Sequence, residues 1–209
     1  MMLDYCIIGS GISGSTIANY LKKDYSVKVF DKARGVGGRS SFKRYKGKIG
    51  FDHGLQYLSP RSKEFKIFTN KLIKKKVLKY WRGNHEFLNQ KVKRDKKHIK
   101  LIGVKGNNDI SKFLLKNINC NLQSELSEIK RQKTYWYLRF KDNKYIYSKN
   151  LILSIPFPQA KKLSSKFVKT KLFKNKVTMN SSLTVLLMTN KTSIKASSFF
   201  TNDKVLGWV

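Results

Sequence analysis

The chain has 209 residues, enough for one large domain or two small ones, and its 40% hydrophobic content with thirteen Phe excludes a disordered polymer. A formal net charge of +33 invites a polyanion partner, yet the lysines spread along the whole chain and Arg is scarce among the 45 basic residues. The charge therefore reads as compositional drift on solvated positions rather than as a specific nucleic-acid surface.

Residues 3–8 form a short apolar run ending at Gly9, the signature of a central strand covered on both faces. With no cationic segment ahead of it, that run is not a secretory signal, and no stretch approaches the roughly 18 apolar residues of a membrane span. A helix is predicted over residues 13–22 from the spacing of Ile17, Ala18 and Leu21, and a strand over 26–30 ending at Asp31. Strand, turn, helix and strand within about 30 residues make a βαβ unit. Residues 33–41 are glycine-rich and irregular. Residues 64–78 carry an amphipathic helical pattern whose Lys74, Lys75 and Lys76 form a solvated face. Residues 80–101 read as short strands, with Gly83 and Asn84 as a hairpin turn. Asp109 is placed to cap a helix over 110–117. Strands follow over 122–129, 134–140 and 144–148, the last two joined by a turn at Asp142 and Asn143. Residues 151–155 form another apolar strand, stopped by Pro156 and Pro158. A buried strand is expected over 182–188, and 205–209 begins a further one, which suggests a chain that is incomplete at its C-terminal end. Cys6 and Cys120 fit no metal-ligand spacing, so a reduced, cytoplasmic setting is expected.

The chemistry lies in the turns. Gly9, Ser10, Gly11, Ile12, Ser13 and Gly14 satisfy G-x-G-x-x-G directly after a strand and at the opening of a helix. The first Gly permits the tight turn, the second lets backbone approach a pyrophosphate, and the third allows close helix packing. The helix N-terminus offers N–H groups to the phosphates. Asp31, about twenty residues on, is placed to accept hydrogen bonds from an adenosine ribose. The run Asp31, Lys32, Ala33, Arg34, Gly35, Val36, Gly37, Gly38, Arg39 resembles the acid-x-x-x-x-G-x-GGR pattern of flavin amine oxidases and their relatives. Gly37 and Gly38 would pass close to a diphosphate with Arg39 as a cation beside it. A nicotinamide-dependent dehydrogenase does not usually carry this second cluster.

The segment 51–57 (Phe-Asp-His-Gly-Leu-Gln-Tyr) resembles the D-x-G-x-Q-Y segment of renalase-like FAD-dependent oxidoreductases. Residues 103–108, 126–129, 151–159 and 207–209 resemble further segments of that family. The resemblance implies an α/β fold: a Rossmann-like FAD-binding domain with an inserted mixed-sheet substrate (cap) domain. The FAD-binding part would comprise 1–57 and 101–155, and the cap 58–100 and 156–209. It implies FAD contacts at Gly9, Gly11, Ile12, Ser13, Gly14, Asp31, Lys32, Gly38, Arg39, Gln56 and Tyr57, and through the backbone at Leu126. The implied activity is hydride transfer from an amine or reduced nicotinamide-type substrate to the flavin, reoxidised by O2 or another acceptor. No catalytic side chain and no metal site are assigned: His53 occupies a variable position of its motif, and His85 and His98 read as surface residues. The expected partner is a small-molecule substrate, with no specific nucleic acid and no membrane; the oligomeric state is left open. Two alternatives stand beside this reading, a basic nucleic-acid-binding protein that retains the βαβ unit and an inactive flavoprotein fragment.

Overall fold

The computed structural model describes the chain except residues 1, 48, 89–98, 170–176, 190–192, 194 and 202, so His98 lies outside the described residues. In chain order the elements are β1 (Leu3–Ile8), α1 (Ile12–Leu21), β2 (Val27–Phe30), β3 (Phe42–Arg44), β4 (Gly50–Asp52), α2 (Lys63–Lys74), β5 (Leu78–Tyr80) and β6 (His85–Phe87). They continue with β7 (Leu101–Gly103), α3 (Asp109–Leu114), β8 (Asn119–Asn121), β9 (Leu126–Arg131), β10 (Trp136–Phe140), β11 (Tyr145–Leu153), α4 (Phe157–Ser164) and β12 (Ser198–Phe200). They divide into two compact units, one of residues 1–55 with 105–184 and one of 56–104 with 185–209.

The first unit is built on a six-stranded sheet in the order β8-β2-β1-β11-β10-β9. Strands β8, β2, β1 and β11 run parallel, and β10 pairs antiparallel with both β11 and β9. Alternation along β1 sorts its side chains between two cores, as the two-residue strand period requires. Cys6 and Ile8 join Phe30, Leu126, Ile129, Leu138 and Phe140 on one face. Ile7 joins Val29, Ala18 and Leu115 beneath α1 and α3 on the other. Each fully buried Leu or Ile contributes about 1.5–3 kcal/mol by removal from water. Burial also pushes the Cys6 thiol up to about 12 and that of Cys120 up to about 11, so both behave as small hydrophobes and not as nucleophiles.

The second unit contains α2 and two small sheets, β5 with β7 antiparallel and β6 with β12 parallel. An aromatic group organises it: Trp81 meets His85 at 4.6 Å, and Phe87 meets Phe200 at 5.2 Å. The Lys100 ammonium lies 5.4 Å from the centroid of Tyr57. Among the described residues no helix is long and apolar enough to cross a membrane.

Several expectations are corrected. The helix predicted to reach Leu78 stops at Lys74, because Lys76 adopts a left-handed backbone (φ 56°) and Val77 donates back to the Leu72 carbonyl at 2.9 Å. This closing turn buries Val77 and releases Leu78 into β5. Gly83 and Asn84 make no hairpin, since β5 and β6 pair with β7 and β12 rather than with each other. Asp109 begins α3 instead of capping it, its carboxylate accepting from Lys105 N–H at 2.8 Å, and α3 ends at Leu114. The strands predicted at 144–148 and 151–155 are one strand, β11, whose first half pairs with β10 and second half with β1. Residues 182–188 form no strand: Leu183 is 97% exposed. An apolar run without a pairing edge leaves its backbone to water, whatever its β-propensity. Over 205–209 only Trp208 forms a bridge, to Phe200. His85 is buried, not on the surface, with Nδ1 2.7 Å from the Ser198 hydroxyl. Residues 156–184, assigned from sequence to the cap, lie with the first unit, where Leu163 of α4 packs on its core.

Candidate functional site

At the carboxyl end of β1 the chain turns through Gly9, whose φ of 107° favours glycine. A side chain at Gly9 would collide with the Ser154 carbonyl, and one at Gly14 with the Gly9 carbonyl. These two glycines therefore serve the turn's own packing. Gly11 does not: a Cβ there would make only ordinary contacts, 3.8 Å from the Gly37 carbonyl and 4.0 Å from the Gly38 Cα. Glycine is thus not demanded there by the protein's own packing among the described residues, and its bare backbone suits close approach by a ligand. Helix α1 starts immediately after, with no side-chain cap and no acid in its first turn. Its leading N–H groups, including those of Ile12 and Ser13, thus face the positive end of the helix dipole without a side-chain acceptor.

The second glycine cluster joins the first. Gly37 pairs with Gly11 as a parallel bridge and donates to the Ser10 carbonyl at 3.1 Å. Both Gly37 (φ 121°) and Gly38 (φ 55°) hold left-handed backbone, and Gly38 passes so close to Gly11 that a Cβ would sit 3.3 Å from the Gly11 Cα. Ser40, buried, ties the turn by donating to the Gly37 carbonyl at 2.8 Å. The exposed Arg39 follows, its carbonyl accepting from Leu55 N–H at 2.8 Å. That bond fastens the 51–55 segment beneath the second turn.

Asp31, at the end of β2, reaches into this arrangement. Its Oδ2 accepts from Ser10 N–H at 2.7 Å and from the Ser10 hydroxyl at 2.6 Å, and its Oδ1 accepts from Ala33 N–H at 2.9 Å. Oδ1 retains a lone pair; Oδ2 is fully used. Ser10, wholly buried, is a site residue that sequence reasoning passed over, because the G-x-G pattern leaves its second position unspecified. Asn107 is another. Its N–H donates to Asp52 Oδ1 at 2.7 Å and its side-chain amide to the Leu55 carbonyl at 2.6 Å, clamping the start of α3 to the 51–55 segment.

Of the residues singled out from sequence, Gly9, Gly11, Ile12, Ser13, Gly14, Asp31, Gly38 and Arg39 are gathered around these two turns, and Lys32 lies exposed beside Asp31. Leu126 packs its side chain into the core, so only its backbone in β9 is available for a contact. Gln56 and Tyr57 belong to the second unit, where Tyr57 lies 6.1 Å from Trp81. His53 places its Nε2 3.1 Å from the Ser41 hydroxyl, and its carbonyl accepts from Thr184 at 2.9 Å.

Asp52 has its carboxyl pushed upward, first by burial and then by the charge of Asp109, against the opposing bond from Asn107. A carboxyl raised in the folded state binds a proton that the unfolded chain releases, so its contribution to stability falls as pH rises above the ordinary aspartate range. Asp52→Asn, which keeps an oxygen for the Asn107 N–H, is expected to remove that decline. The urea midpoint at neutral pH minus that at acidic pH should be more positive in the variant than in the parent, because the lowered carboxyls elsewhere then act unopposed; an unchanged difference would rule the effect out.

This geometry defines a class of fold, an α/β protein with a Rossmann-like domain. Residues 7–72 match the model of the NAD(P)-binding Rossmann-like domain. Among solved structures, a protein from Exiguobacterium sp. 255-15 described as a candidate protoporphyrinogen oxidase is similar at 12% identity, with TM-score 0.67, over 98% of this chain and 71% of its own. A triple mutant of putrescine oxidase from a redesign of cofactor binding is similar at 14% identity, with TM-score 0.63, over 78% of this chain and 60% of its own. The tetracycline destructase Tet(51) is similar at 15% identity, with TM-score 0.54, over 81% of this chain but only 42% of its own. The chain thus spans between two fifths and three quarters of these relatives. At such identities the likeness is one of fold.

Proposed function

We propose that the two joined glycine turns hold the diphosphate of FAD and that the chain is an FAD-dependent oxidoreductase of renalase-like kind. The observation that carries this reading is the Gly11–Gly37 bridge, which makes one continuous cradle from two separate motifs, beside an uncapped helix N-terminus. The residues fit the group. The bare backbone at Gly11 would let a diphosphate approach, the first N–H groups of α1 would supply donors, and Arg39 is an exposed cation in no ion pair among the described residues. Asp31 would hold the adjoining ribose through the free lone pair of Oδ1, while its bonds to Ser10 keep the carboxylate oriented. The Leu126 backbone would meet the adenine; Lys32 would add positive charge at the rim.

FAD when bound supplies a hydride acceptor, so the protein's own part is binding, orientation and exclusion of water. The hydride would come from an amine or a reduced nicotinamide-type small molecule, with O2 or another acceptor closing the cycle. By the resemblance of the 51–57 segment, Gln56 and Tyr57 are proposed as further cofactor contacts. Purified protein should carry yellow flavin absorbance, or gain it on reconstitution with FAD, and release FAD on heating. Protein that stays colourless in both conditions, while its circular dichroism shows it folded, would exclude the reading.

A further inference from the structure

The three antiparallel strands β9, β10 and β11 bury one face and leave the other open. Leu138 and Ser148, wholly buried, and Ile129 point inward. The residues alternating with them therefore point outward. On that outer face Tyr137 stands opposite Tyr147, and Arg139 opposite Tyr145. On the β9 side Lys130 stands opposite Tyr137. Tyr135 joins the group, its ring 5.4 Å from Tyr147, while Tyr137 and Tyr145 lie nearly parallel at 6.0 Å with 27° between their planes. Tyr147 touches both Tyr137 at 5.7 Å and Tyr145 at 5.8 Å. Four rings thus form one continuous platform, with Tyr145 60% and Tyr147 39% exposed and Tyr135 and Tyr137 half-buried.

Cations border the platform. The Lys130 ammonium lies 5.8 Å from the Tyr137 centroid, and Arg139 is exposed with its guanidinium on Asn143. Lys133, Lys141, Lys144 and Lys149 surround the hairpin. Glu128, Glu125, Asp142 and Asp4 pair with Lys130, Lys141, Lys144 and Lys149 respectively. These are surface pairs, which exchange readily for another anion. Arg139 and Lys133 are in no ion pair among the described residues. A cationic margin around stacked, exposed rings is complementary to a chain of phosphates carrying flat, unpaired bases, because each base has a face to stack and each phosphate a charge to neutralise. A run of unpaired bases uses both features at once, its bases on the rings and its phosphates beside the cations.

We infer that the outer face of β9–β11 binds single-stranded nucleic acid without sequence preference, bases stacking on Tyr135, Tyr137, Tyr145 and Tyr147. This contact is separate from the glycine cradle and independent of the flavin reading, so FAD should neither compete with it nor be needed for it. It also revises the expectation from sequence that the charge is only compositional drift on solvated positions.

The test is fluorescence anisotropy of a labelled oligothymidylate of about twenty nucleotides with the full chain. The parent should bind it more tightly than the matching duplex, with affinity falling steeply as salt rises. Tyr137→Ala with Tyr147→Ala should weaken single-strand binding about tenfold or more, and heparin, which has charge but no bases, should bind both proteins alike. Tyr137→Phe with Tyr147→Phe keeps the rings and should keep the affinity. Should the alanine pair misfold, Tyr145→Ala alone, at the most exposed ring, decides the matter. Equal affinity of parent and alanine variants, equal binding of duplex and single strand, or tyrosine-dependent binding of anionic phosphatidylserine vesicles without oligonucleotide binding would each overturn the inference.

Discussion

Gly11→Ala should leave the protein folded and weaken its hold on FAD, whereas Gly14→Ala should destabilise the fold itself. Both lie in the same six-residue turn, and a sequence motif treats them alike. Their surroundings do not. The new methyl at Gly11 would rest at ordinary contact distances, with Gly11 already at φ −66°, a value any residue adopts. Stability should change by no more than about 0.5 kcal/mol, the range of a tolerated surface substitution. The methyl would nonetheless occupy the space through which a diphosphate approaches backbone, so flavin retention should fall at least about tenfold, close to 1.4 kcal/mol. At Gly14 the methyl would be driven into the Gly9 carbonyl, and neither the α1 backbone nor β1 has slack to give. Overpacking of this kind costs about 1–3 kcal/mol and here should reach the upper end, because the obstacle is backbone. Thermal melts of the two variants beside flavin content of the purified proteins would check both. If the variant at Gly11 retained flavin like the parent, the cradle would not be where the diphosphate lies.

Asp31→Ala is expected to be damaging in two ways that can be measured apart. The substitution leaves the Ser10 N–H and hydroxyl without their acceptor in a position closed to water. Unsatisfied buried donors cost about 1–3 kcal/mol each, so a loss of about 2–4 kcal/mol is expected, read from urea unfolding. The double variant Asp31→Ala with Ser10→Ala should recover part of that loss, since the orphaned hydroxyl is gone. It should not recover FAD binding, because the ribose contact depends on the carboxylate and not on Ser10. Full recovery of flavin in the double variant would mean that Asp31 acts only as a brace for the turn. Asp31 and Ser10 are coupled because one carboxylate oxygen accepts both the N–H and the hydroxyl of Ser10.

The residues around Asp31 also mark the boundary between what was legible in the amino-acid order and what was not. Local interactions could be read directly. The βαβ unit follows from the periodicity of residues 3–30, with strand and helix ends close to those expected, because each element is short and its apolar pattern is complete within itself. The two glycine clusters were likewise visible, since a turn's backbone demands are written in consecutive residues. Pairings between distant segments were not. That Gly37 bonds to Ser10, that Asn107 clamps the 51–55 segment, and that His85 is buried beneath Ser198 depend on partners up to 113 residues away in the chain. The alternation of tyrosines at 135, 137, 145 and 147 was on display in the sequence, but its significance needed the hairpin register to bring the four rings onto one face.

From the sequence alone, then, come a dinucleotide turn after the first strand, a second turn suited to the same phosphates, and an acid between them. Those features rest on local backbone sterics and hydrogen-bonding capacity. The tertiary structure decided that the two glycine turns bridge each other, that Asp31 bonds to both Ser10 and Ala33, and that helix α2 ends four residues before its apolar pattern does. These outcomes depend on which surfaces are buried together, and burial is a property of the assembled chain: the same Lys76 or Leu183 is favourable or not according to what lies against it.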